Sequence, residues 1–323
     1  MTDRHRFVIG SFVTVRKGWR WTQWTLIFFA ILAIILTIVS QETYKKVILL
    51  RRAKRLGVPL PPGPPAAAKI KFLINVTLTR PLHMLFTEPI VGFMSLYTGF
   101  NFSVLFAFFA AFPYVYRTVY HFTIEQVGLV FLAVGLGVLL SLATVVLCDK
   151  FFYQPRVRAS LTQGKNGFVP PEYRLFPALF GCFGMPISLF WFGWTARKEI
   201  SWASPVLAAI PFGWANLCIF IGMIIAGDSR LPHANTGVAT ATYLVDTYQA
   251  LNSASAMAAN GILRYTLGAV FPLFTIQMYS GLGIGWASTL LGFVAIALIP
   301  VPWVLFKWGH VIRKKSSYDT IKL

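Results

Sequence analysis

Apolar residues in this chain fall in long runs, and polar residues gather in short segments between them. A helix needs ~20 mainly apolar residues to cross the hydrocarbon of a bilayer. Seven stretches meet that need: 23–41, 88–116, 126–148, 174–195, 203–226, 250–278 and 285–306. Pro89, Pro177, Pro186, Pro205, Pro211, Pro272, Pro300 and Pro302 fall in or near them. Prolines would break a water-soluble helix, whereas in a membrane bundle neighbouring groups re-satisfy the freed carbonyls. The pattern predicts an all-α fold, a polytopic membrane helix bundle of about seven transmembrane helices.

One run differs from the rest. "ALNSASAMAANGILRY", residues 250–265, is apolar enough to enter a membrane yet carries amides, hydroxyls and an arginine. At ~100° per residue, Gln249, Asn252, Ser253, Ala256, Asn260 and Arg264 fall within one sector of roughly 120°, with Leu263 and Leu267 expected elsewhere. A charge at mid-bilayer costs at least ~2.5 kcal/mol. The stripe must therefore face the bundle interior, a water-filled cavity or a partner acid. Ala254, Ala258, Ala259 and Gly261 add a close-packing surface. Two readings stay open, a cavity lining and a helix–helix glue.

Composition agrees with a membrane protein: 56% of residues are hydrophobic and only 12% charged, against about 25% charged in soluble domains. The net charge of +19 sits between apolar runs with no aromatic-basic motif, so the partner it implies is the lipid bilayer and not nucleic acid. Basic residues also orient the bundle. Segment 44–82 holds nine, 149–174 holds five and the tail after 306 holds five. These segments are expected in the cytoplasm, with 117–125 and 196–202 outside. The start of the chain then falls on the far side with Arg4, Arg6, Arg16, Lys17 and Arg20. That arrangement suits an interior segment of a longer design. Within 44–82, "ETYKKVILLRRAKRLG" predicts a short amphipathic helix at the headgroups. "VPLPPGPPAAAK" after it reads as a stiff linker, either a hinge between two bundles or an ordinary solvated loop.

Candidate chemistry is sparse. Cys148, Cys182 and Cys218 are dispersed in or at the ends of apolar runs, which is no disulfide framework. The five histidines show no metal-ligand spacing, so neither metal nor cofactor is expected. Among the acids, Glu88 and Asp246 are the candidates for a proton pathway, with pairing to nearby bases as the alternative. Asp149 and Glu172 are expected to pair within basic loops, and Glu125 to stabilise a helix N-terminus. The sequons at Asn75 and Asn101 fall in a cytoplasmic loop and a span, where glycosylation is not expected. Tyr97, Phe100, Phe102, Phe106, Phe108, Phe109, Trp191 and Trp194 are able to stack on cations, although most are expected to pack or face lipid.

Several blocks carry a resemblance: "GWRWTQW" (18–24), "ETYKKVILLRRAKRL" (42–56), "RPLHMLFTEPIVGFMSLYTGF" (80–100), "PPEYRLFPAL" (170–179), "LFWFGWTA" (189–196), "YLVDTY" (243–248), "SASAMAANGILRYTLGAVFPLFTIQMY" (253–279) and "GIGWASTLLGFVAIALIPVPWVLFKWG" (283–309). Together they resemble the fungal drug:proton antiporters of the major facilitator superfamily, in its polyamine and multidrug exporter branch. The resemblance implies two six-helix bundles around a central cavity that opens alternately to each side. It covers the family's sixth to twelfth helices. Residues 1–43 then correspond to an N-terminal remnant and the sixth helix, 44–82 to the basic central loop, 83–309 to the C-terminal bundle and 310–323 to a cytoplasmic tail. "AGDSRLPHANTGVATAT", near 227–242, departs from the family pattern.

The resemblance implies proton-coupled export of polyamines, drugs or other small cationic or amphipathic molecules, at the plasma membrane. Its partners are a small-molecule substrate, the proton and a first-half bundle needed for transport. Glu88, Tyr97, Asp246, Asn252, Asn260 and Arg264 are the candidates for the substrate and proton pathway. The alternative is a seven-helix receptor-like protein. An enzyme is not expected, because no paired acids, His clusters or Ser-His arrangement is present.

Overall fold

The computed structural model describes residues 3–39, 45–57, 78–163, 169–224 and 243–316. The predicted linker at 58–69 and the departing segment near 227–242 lie outside them. The chain divides into two compact units, Met1–Asn75 and Val76–Leu323.

In the first unit, α1 (Asp3–Lys17) precedes α2 (Trp19–Val39), and α3 (Lys45–Arg55) follows. Gly18, at φ +83, makes the break between α1 and α2 in a conformation that only glycine adopts cheaply. α2 has 21 residues, about 31 Å at 1.5 Å per residue, which matches the hydrocarbon thickness. α3 is the predicted basic amphipathic helix, and α1 is a helix that no apolar run announced.

The second unit contains α4 (Arg80–Thr87), α5 (Pro89–Val119) and α6 (Ile124–Cys148). A π-helical turn (Asp149–Tyr153) leads into α7 (Gln154–Thr162). A 3-10 turn (Pro171–Leu175) precedes α8 (Phe176–Thr195), α9 (Ala203–Ile224), α10 (Tyr243–Leu298) and α11 (Pro300–Lys314). Pro113, Pro186, Pro211 and Pro272 lie inside helices, as a membrane bundle permits. Thr123 and Gln126 close a reciprocal cap on α6, with Glu125 in its first turn.

Six described helical stretches have the length and apolar character to cross a bilayer. The last, Asn252–Lys314, has 63 residues, about 95 Å if straight. It is not straight. Before Gly283, Asn260 meets Thr98 and Tyr265 meets Phe102, so this leg runs alongside α5 in the same direction. After Gly283, Trp286 meets Trp194, Phe293 meets Phe190 and Trp303 meets Phe183. This leg therefore runs antiparallel to α8. The far ends of α5 and α8 lie together, because Tyr120 donates to the carbonyls of Thr195 and Arg197 at 3.2 and 3.0 Å. The chain must reverse between the two legs, and Gly283, at φ +78, is the residue suited to the turn. The two predicted spans 250–278 and 285–306 are thus the legs of a helical hairpin, and the described residues make seven crossings.

The ends of the second unit differ chemically. One end carries 120–123, 196–202 and the Gly283 turn. Burial there pushes the Tyr120 hydroxyl up from its ordinary range, which keeps it a donor. The opposite end carries the basic stretches 149–163 and 169–174 and the end of α11. There Ser316 donates to Glu88 at 2.8 Å, and Arg313 pairs with Glu172. Arg156 lies over Tyr173 at 4.2 Å and Arg174 over Tyr153 at 4.7 Å. Between the ends, α6 and α9 touch backbone to backbone. A Cβ on Gly137 would lie 2.1 Å from the Ile210 carbonyl oxygen, and one on Gly213 would lie 2.3 Å from that of Val134. Phe108, Phe112, Phe192 and Phe212 form an aromatic core beside them.

Candidate functional site between α5 and α10

The polar stripe of α10 faces α5. Gly99 and Gly268 allow the approach: a Cβ on Gly99 would lie 3.0 Å from Leu267 and 3.6 Å from the Arg264 Cα, and one on Gly268 would lie 2.9 Å from Phe102. Asn260, 2% exposed, donates through Nδ2 to Thr98 Oγ1 at 2.6 Å, and Thr98 donates to the Met94 carbonyl at 2.8 Å. Asn252, Ser253 and Ser255 are buried one to two turns before it on α10, and Ser95 and Tyr97 are buried on α5. Ser95 Oγ, Tyr97 Oη, Asn252 Oδ1 and Ser255 Oγ are buried with no hydrogen-bond partner among the described residues. An unpartnered buried polar group costs about 1–3 kcal/mol, and each such group marks a place where water or a ligand belongs.

Above Asn260, Arg264 meets three rings from three helices. Its guanidinium carbon lies 5.1 Å from the ring centroid of Phe102 on α5, 5.1 Å from that of Phe220 on α9 and 4.7 Å from that of Tyr265. Its Nη2 donates to Tyr265 Oη at 2.9 Å. Beside the seam, Asn101 and Asn216 exchange hydrogen bonds: Asn101 donates to the Asn216 carbonyl at 3.3 Å. Asn216 in turn donates to the Asn101 carbonyl at 3.1 Å and to its side-chain oxygen at 3.3 Å.

Of the residues expected from sequence, Asn260 and Arg264 come together in this seam, Asn252 is buried two turns before Asn260 on the same helix, and Tyr97 is buried on the side of α5 turned toward Cys182 of α8. Glu88 does not. It caps the start of α5, ten residues before Thr98 and so about 15 Å along the helix, where it is buried and holds Ser316. Asp246 belongs to the first turn of α10, and its side chain lies outside the described residues. Leu267 corrects the expected stripe: it packs on Gly99 inside the seam, and Leu263 is half-buried. Seven residues are nearly two full turns, so Leu267 shares the face of Asn260. Sequence reasoning missed Asn216 and Phe220. The lone amide in the apolar run "FGWANLCIF" was the signal for Asn216.

Crossing helices with prolines inside them, basic residues at one end and a buried polar seam define a polytopic helical membrane protein. Residues 7–252 match the family model of the Major Facilitator Superfamily, and the chain belongs to that superfamily. It is 36% identical to polyamine transporter 4 of Saccharomyces cerevisiae, over 96% of this chain and 48% of the yeast protein. It is 36% identical to the major facilitator superfamily multidrug transporter mdrA of Aspergillus fumigatus, over 94% of this chain and 47% of that one. With the citrinin biosynthesis cluster MFS transporter mrr1 of Monascus ruber it shares 35% identity, over 97% of this chain and 59% of the relative. The chain spans about half the length of the curated relatives it matches. No solved structure matches it. These relatives are fungal transporters, as the resembling blocks implied, and they lend the receptor alternative no support.

Proposed function

We propose that this chain supplies one bundle of a plasma-membrane secondary transporter, which exports polyamines or other small cationic or amphipathic molecules in exchange for protons. The observation that carries the reading is the buried polar seam between α5 and α10, where Asn260 holds Thr98 and Arg264 stands among aromatic rings, with unpartnered polar groups buried in both helices. Groups left unsatisfied in a packed bundle suit a path whose occupant, substrate or water, comes and goes. The names of the relatives, polyamine transporter and multidrug transporter, support the substrate class. The end bearing 149–174 and the end of α11 faces the cytoplasm in this reading, because basic residues concentrate there. Coupled transport needs a facing first-half bundle, since alternating access is one bundle rocking against another around a site between them. Asn252, Asn260 and Arg264 line this chain's side of the path. Glu88 and Asp246 are the carboxylates assigned to the proton route.

The test is a chimaera in which this chain replaces the matching segment of yeast polyamine transporter 4. Asn260→Leu removes the donor to Thr98 and should cut spermidine export about fivefold or more at equal surface expression. Leu273→Ala, at a position 74% exposed, should leave export within about twofold. Equal losses from both changes would reduce the seam to helix–helix glue.

A further inference from the structure

Arg264 poses a physical problem that the transport reading leaves unanswered. It lies within a membrane span, and no carboxylate partners it among the described residues. Its Nε is buried without a hydrogen-bond partner. What holds the guanidinium is aromatic: the rings of Phe102, Phe220 and Tyr265 stand 4.7–5.1 Å from its central carbon. Phe102 and Tyr265 meet edge to face at 5.7 Å and 79°, so two walls of the cage support each other. A cation over ring faces gains about 0.5–2 kcal/mol when desolvated, which is how proteins recognise organic ammonium groups. Three rings from three helices around one positive charge form such a recognition site, already filled by the protein's own side chain.

The surroundings suit a longer ligand. Asn260 is one helical turn before Arg264, and Asn101 and Asn216 are next to Phe102 and one turn from Phe220. Asn101 Oδ1 accepts a hydrogen bond in this region, and the side-chain amide oxygens of Asn260 and Asn216 are acceptors of the kind a second nitrogen along an aliphatic chain would require. An anion fits poorly, because the ring faces that surround the site repel negative charge. The wall formed by Tyr265 is 61% exposed, which leaves a way in.

We propose that Phe102, Phe220 and Tyr265 form an organic-cation site, and that Arg264 occupies it as an internal stand-in which a substrate ammonium displaces. The proposal deepens the transporter reading, because it names the cation site on that path and the group that competes for it. The competition lowers apparent affinity by the fraction of molecules in which the cage is free. It also gives the bound cation a way out, since Arg264 refills the cage on release.

Binding, measured apart from transport, is the test. Spermidine is titrated calorimetrically into the purified full-length chain in detergent. Arg264→Ala should bind spermidine about tenfold more tightly than the unaltered chain, and adding Phe102→Leu and Phe220→Leu should abolish the gain. Arg264→Met, which keeps the stem and its packing, should also tighten binding, and it serves if the alanine variant fails to fold. Suberate, a dianion of similar length, should bind none of these proteins better than the unaltered chain. Unchanged or weaker spermidine binding in a folded Arg264→Met variant would overturn the proposal, as would suberate binding that depends on Arg264. If the chimaera fails to export spermidine while the binding pattern holds, the transporter reading falls and the cage stands.

Discussion

Arg313 and Glu172 show how single residues fix the basic end of the bundle. Arg313 is 1% exposed and pairs with Glu172 from the 3-10 turn. Removing one member of a buried pair strands the other charge, which costs about 3–5 kcal/mol. Arg313→Ala should therefore lower the melting temperature in detergent sharply, and Arg313→Met with Glu172→Leu should recover most of the loss. A double variant no better than the single one would mean that the pair supplies something that packing cannot replace. Sequence alone placed Glu172 in a basic loop and expected an ion pair, but it could not name Arg313. The pairing is made by the hairpin that returns α11 to the end where α5 begins. Asn101 and Asn216 are hidden for the same reason: each is a lone amide in an apolar run, and only the packing of α5 on α9 joins them.

At the scale of elements, crossings are legible because hydrocarbon demands apolar length, and each predicted span corresponds to a helix or a helical leg. The hairpin at Gly283 is legible too, since "YSGLGIG" at 279–285 interrupts the apolar run and the two predicted spans end and begin on either side of it. Contact between α6 and α9 rests on missing side chains. Gly137→Ala would drive a methyl into the α9 backbone at the Ile210 carbonyl oxygen, whereas a Cβ on Gly135 meets nothing within 4 Å. Overpacking costs about 1–3 kcal/mol, so Gly137→Ala should destabilise the purified chain by that order. Gly135→Ala should leave it unchanged or slightly firmer. Equal melting temperatures for the two variants would show that α6 and α9 are not so closely packed.

For the whole molecule, topology is expected to follow the basic residues, which helix direction gathers at one end of the second unit. Cys148, Cys182 and Cys218 are buried, so an introduced cysteine is the one an impermeant maleimide reads. Lys198→Cys, at the end with the short loops, should label in intact cells, and Gln163→Cys only after permeabilisation; the reverse pattern would invert the topology. In the proposed reading the α5–α10 seam works as one wall of a path whose other wall is a first-half bundle. The decisive measurement is spermidine-dependent proton flux in proteoliposomes, for this chain alone and together with the first-half helices of yeast polyamine transporter 4. No saturable flux is expected from the chain alone and saturable flux from the pair, lost again in Asn260→Leu. Saturable flux from the chain by itself would contradict it.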